Sequence, residues 1–173
     1  MITLLPSIGV KKLTGINYDT LEWVIDKVLT ANLGKSFNYN ITIHKSRVKE
    51  TSYVWLENRS RNFKIYLDCS GDMRYVISII LHEIRHILQH NFFKTSMSCA
   101  YSTYKEYYNS AEERDARKFE KLTTSVLHTY KALEQSKVVF KKNNLGTTHI
   151  IRVYKKEPNV LSESLQKELP YNY

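Results

Sequence analysis

The stretch from 73 to 91 limits the possible folds of this chain more than any other segment. Val76, Ile77, Ile80, Ile84, Ile87 and Leu88 recur at helical spacing, so they form one apolar stripe on a helix long enough to run through a core. His82 and His86 lie off that stripe, beside Glu83 and Ile79. Residues four apart stand one helical turn above each other, so two imidazoles can converge on one ion while the carboxylate between them reaches a water beside it. Histidines serving the core would sit within the stripe. A pair held by a core helix but turned away from its apolar side suits a cleft.

The segment His82-Glu83-Ile84-Arg85-His86 resembles the HExxH motif of zinc-dependent peptidases. The resemblance implies Zn2+ held by His82 and His86, and a bound water whose pKa falls to about 7. Glu83 is then the catalytic base, taking the proton and passing it to the leaving amine. A third ligand is needed. His90 is poorly placed for it, because eight residues of helix put it about 12 Å beyond His82. The metzincin pattern is absent: Gln89 stands where its glycine would be, and Phe92 where its third histidine would be. Cys99, just beyond the helix, is an outside candidate.

Downstream, Asn109-Ser110-Ala111-Glu112-Glu113-Arg114-Asp115-Ala116-Arg117-Lys118-Phe119 starts a second helix rich in carboxylates. This run is similar to the gluzincin arrangement, and more closely to that of the ImmA/IrrE-like peptidases found in phages and mobile elements. The resemblance covers about residues 75 to 125. It implies that Glu113 completes the metal site, with Ala116 and Phe119 matching the family's alanine and aromatic. Arg117 replaces the usual asparagine, and Arg85 replaces a glycine common before the second histidine. Read without the family, the residues leave two alternatives open. Ser110 and Glu113 form a capping box that needs no metal. On a helical wheel, Glu112 shares the inward stripe of Phe119, Leu122, Val126, Tyr130 and Leu133, which makes it the alternative ligand. Asp115 is a candidate to orient His82 or His86 through the ring nitrogen that does not bind zinc, or else an ordinary first-turn acid. Tyr101, Tyr104, Tyr107, Tyr108, Arg85, Arg117, His128 and Tyr130 are all candidates to stabilise an oxyanion, and the sequence selects none of them.

With 173 residues, 42% of them hydrophobic, the chain can bury one sizeable core. A single zincin-like domain over 1–156 with a mobile tail at 157–173 is expected. No apolar run reaches the roughly eighteen residues of a membrane span, and no signal pattern opens the chain. A cytoplasmic protein is therefore expected, in the host cytoplasm if a phage encodes it. Two cysteines, Cys69 and Cys99, make no disulfide framework. The net charge of +9 permits a nucleic-acid partner beside a protein or peptide substrate, but no motif indicates one. Few glycines and prolines among many Lys, Asn, Ile and Tyr fit an A+T-rich genome such as that of a phage.

Periodicity predicts a helix over 19–33 capped by Asp19 and Glu22, strands over 37–44, 52–57 and 62–69 with a hairpin at 58–61, and the motif helix over 73–91. A loop over 92–109, a second ligand helix over 110–136 and a late strand over 149–154 follow. That order predicts an α+β fold: a minimal zincin-like domain with a small antiparallel sheet, an HExxH helix and a following ligand helix. Segment 52–57 or 62–69 is expected to edge the cleft. The expected function is that of a zinc metallopeptidase. The alternatives are an inactive zincin-fold binding or regulatory protein and a DNA-associated SprT-like protease, whose third ligand would be a downstream histidine.

Overall fold

An N-terminal strand that the periodicity does not announce, β1 (Ile2–Pro6), comes before the helices α1 (Ile8–Thr14) and α2 (Tyr18–Leu33). The computed structural model describes residues 2–34, 37–48, 51–55, 61–91, 101–136, 139–142 and 148–152. The expected tail at 157–173, Cys99 and the connection at 58–60 lie outside them. Three strands follow, β2 (Tyr39–Lys45), β3 (Tyr53–Trp55) and β4 (Asn62–Leu67), and then α3 (Met73–Asn91). The second half contains α4 (Tyr104–Tyr108), α5 (Ala111–Phe119), a 3-10 turn (Glu120–Leu122), α6 (Thr123–Gln135) and the paired strands β5 (Val139–Lys142) and β6 (Thr148–Arg152).

The fold is α+β, but the main sheet is not antiparallel as expected. Its order is β1-β2-β4-β3; β1, β2 and β4 run parallel, and only β3 opposes its neighbour. Helices α1 and α2 form the crossover that parallel β1 and β2 require. β4 then inserts between β2 and β3 rather than adding beyond β3. Alternation along β2 and β4 correctly signals one buried and one open face, but it carries no information on strand direction.

The two sheet edges differ. On the outer side of β1, the Ile2 N–H donates to Asp26 (3.0 Å) and the Leu4 N–H to Glu22 (2.7 Å). Two carboxylates one turn apart on α2 thus stand in for a neighbouring strand. Glu22 is consequently buried and is no part of a helix cap: α2 is capped by Asn17, whose side chain accepts from the Thr20 N–H, and closed by Gly34 at φ 62°. On the opposite edge, the Val54 backbone of β3 hydrogen-bonds the Glu83 carboxylate of α3.

α3 runs through the core. Val76, Ile77, Ile80, Leu81, Ile84, Ile87 and Leu88 are each at most 1% exposed and belong to one cluster with the inner faces of β2 and β4, α2, and Phe119, Leu122 and Val126. At about 1.5–3 kcal/mol per buried side chain, this stripe anchors the helix by roughly 10–20 kcal/mol before entropy. That anchoring is large enough for the same helix to bury Glu83, Arg85, His86 and Gln89 on its other side, where hydrogen bonds roughly offset desolvation.

Candidate metal centre

His82 and His86 project from consecutive turns of α3, and Glu113 reaches them from the first turn of α5. The two Nε2 atoms lie 3.0 Å apart. Glu113 places Oε1 3.1 Å from His86 Nε2 and Oε2 3.4 Å from His82 Nε2. Among the described residues these three side chains form the group able to hold a metal ion. Ligands about 2.0–2.1 Å from a tetrahedral ion stand roughly 3.3–3.4 Å apart, so the spacing needs only a slight opening to admit Zn2+.

The far sides of both rings fix which nitrogen carries hydrogen. His82 Nδ1 lies 2.7 Å from Glu120 Oε1, and a carboxylate can only accept. His86 Nδ1 lies 2.8 Å from Gln89 Oε1. The Gln89 amide is oriented in turn, because its NH2 donates to the Glu112 carbonyl (2.9 Å) and to Asp115 Oδ2 (2.8 Å). Both imidazoles therefore keep Nδ1–H and, when neutral, direct Nε2 lone pairs at each other and at a carboxylate. Such a set of donors requires a cation in its midst, either a proton or a metal.

Without metal the proton takes that place. Burial would lower the His82 pKa, but hydrogen bonds to Glu113 and Glu120 and the charge of Glu83 overcome it and raise the value to about 9. Burial likewise pushes Glu113 up, and hydrogen bonds from His82, His86 and Tyr107 reverse this and hold its carboxyl well below the usual range. Glu83 moves the other way. Buried beside the pair, it has its pKa raised by desolvation, against the pull of His86 and His82 and a hydrogen bond from the Val54 backbone on β3.

The supporting contacts differ from those expected. Asp115 touches neither imidazole; its Oδ2 accepts from Arg85 Nε at 2.6 Å and from Gln89, so it acts on His86 only through the glutamine. Position 115, two residues on from Glu113, lies about 200° round α5 and so faces away from the pair, and its carboxylate is held by Arg85. Arg85 is buried, with its guanidinium over the Phe119 ring at 5.3 Å, and it fastens α3 to α5. Arg117 stacks on Tyr108 at 3.7 Å and approaches Glu113 at 3.8 Å. Tyr107 hydrogen-bonds Glu113, which distinguishes it from Tyr101, whose hydroxyl lies 3.4 Å from Glu112.

Glu112, the alternative ligand, faces Tyr101, whereas Glu113 is 4% exposed and joins the histidines. Half of the capping box forms: Ser110 Oγ accepts from the Glu113 N–H. The Ser110 N–H, however, goes to the Tyr107 carbonyl, which leaves the Glu113 carboxylate to the site. Neither His90 nor His128 joins the cluster. Gln89 and Glu120 were missed by sequence reasoning, although each bears a spacing signal, three residues after His86 and seven after Glu113. The chain matches no known protein family, no curated protein and no solved structure.

Proposed function

We propose that this protein is a zinc-dependent peptidase in which His82, His86 and Glu113 hold the ion and Glu83 moves the proton. The observation that carries the reading is the donor set: two imidazoles whose Nδ1–H groups are committed to Glu120 and Gln89 direct two Nε2 lone pairs and a carboxylate at one point. Zn2+ in that position supplies a Lewis acid for a peptide carbonyl and an acidified water. Glu83 is 5% exposed with a raised pKa, so its carboxyl is suited to take a proton and return it to a leaving amine. Tyr107 and Arg117 steady Glu113. The Val54 backbone of the edge strand β3 hydrogen-bonds Glu83, so an extended peptide laid along β3 would compete for that donor and bring its carbonyl to the site. A glutamate third ligand favours this reading over a SprT-like one.

The test is Glu83→Gln, assayed in parallel for bound metal by elemental analysis and for cleavage of a fluorogenic peptide library. Metal content should stay at the wild-type level while cleavage falls roughly 10²–10⁴-fold. Full cleavage by the metal-loaded variant would remove Glu83 from the mechanism. A wild type that binds zinc and cleaves nothing would leave a zincin-fold binding protein.

A further inference from the structure

The face of the main sheet turned away from the helices carries chemistry that the metal site does not use. Cross-strand neighbours place Tyr53 of β3, Tyr66 of β4 and His44 of β2 in one row. Their rings are nearly parallel: Tyr53 and Tyr66 are 4.8 Å apart at 17°, and Tyr66 and His44 are 5.6 Å apart at 29°. Stacked cross-strand pairs stabilise a sheet on their own account, but this row ends at the edge strand, where Tyr53 is 38% exposed and Trp55, on the same face, is 58% exposed. Lys64 lies opposite Trp55. The charge is concentrated here as well. Among the described residues between 39 and 67, Lys45, Arg47, Arg61 and Lys64 are basic and none is acidic, and none of the four strands contains an acidic residue.

We infer that this face binds single-stranded nucleic acid, with unpaired bases extending the ring row at Tyr53 and lying on Trp55, and the phosphates following the basic residues at the strand ends. Planar rings beside a positive field match a ligand with unstacked bases and a charged backbone. A duplex hides its base faces, and an acidic protein has no use for the rings. This inference does not depend on the peptidase reading.

Trp55 provides its own reporter, because the chain has two tryptophans and Trp23→Phe leaves Trp55 alone. Titrating that variant with a twenty-residue oligothymidylate should quench its fluorescence, with affinity falling as salt rises from 50 to 200 mM. Anisotropy of the labelled oligonucleotide should show roughly tenfold weaker binding to Trp55→Ala and to Lys64→Glu, both checked for unchanged thermal melting. A duplex of the same sequence should compete at least tenfold less well. The inference fails if Trp55 is not quenched, or if duplex or polyglutamate competes as well as the single strand, since either result reduces the effect to attraction between net charges.

Discussion

On the proposed reading, a proton and a divalent cation compete for the same lone pairs between His82, His86 and Glu113, and the pH at which one replaces the other is set by the neighbouring carboxylates. His82 is raised from 6.5 to about 9, so its contribution to metal-free stability is complete below about pH 6.5 and is lost as pH rises through about 9. Glu113 is lowered from 4.5, so its contribution is present above about pH 4.5 and is lost only as pH falls through its depressed value. The metal-free protein should therefore be held best near pH 5–6. Zinc must displace the His82 proton, so the rise in melting temperature produced by buffered zinc should grow from pH 6 to pH 9. Glu120→Gln, which takes one carboxylate from His82, should move that growth to lower pH. A zinc effect independent of pH would show that no proton is displaced. His82, Glu83 and His86 were legible because one helical turn encodes their geometry. Gln89 and Glu120 were not, because their roles depend on which nitrogen of each ring faces inward, and this is settled only when α5 packs on α3.

At the scale of elements, α3 could be read from sequence over its full length, Met73–Asn91, since its apolar stripe and Asp72 leave little choice. The second ligand helix could not. Read as one helix over 110–136, it projects Glu112 inward, but the 3-10 turn at Glu120–Leu122 advances about 120° per residue instead of 100°. Three such residues slip the phase by roughly 60°, so the residues of α5 and α6 do not share the single stripe on which the one-helix reading places Glu112. The same turn carries Glu120 to His82. The start of α5 is set by Ser110, whose hydroxyl accepts from the Glu113 N–H, so this cap fixes the backbone of the proposed ligand itself. Ser110→Ala should cost about 1 kcal/mol in denaturant unfolding and should also weaken zinc binding. Lost stability with unchanged zinc affinity would mean that the contacts of Arg85 and Gln89 position α5 without the cap.

Across the whole molecule, carboxylates from helices meet the backbone of both sheet edges, Glu22 and Asp26 on β1 and Glu83 on β3. A parallel core of β1, β2 and β4 was hidden from sequence reading because β1 is only five residues long and pairs with a strand beyond two helices, a contact that no local pattern announces. Glu22, read from sequence as half of a cap pair with Asp19, and Asp26 instead occupy backbone donors that would otherwise make β1 a template for another chain. Glu22 is fully buried, so its role is decided by what its removal exposes. Glu22→Ala removes the carboxylate that accepts from the Leu4 N–H, at about 1–3 kcal/mol, and reopens the edge. Glu22→Gln keeps an acceptor oxygen and should cost less. The alanine variant should therefore unfold at lower denaturant and self-associate with rising concentration by light scattering, while the glutamine variant remains close to wild type in both. If both variants lose the same stability and neither associates, the negative charge of Glu22 matters and its hydrogen bond to β1 does not. The β1 edge would then be protected by the bulk of α2 rather than by its carboxylates.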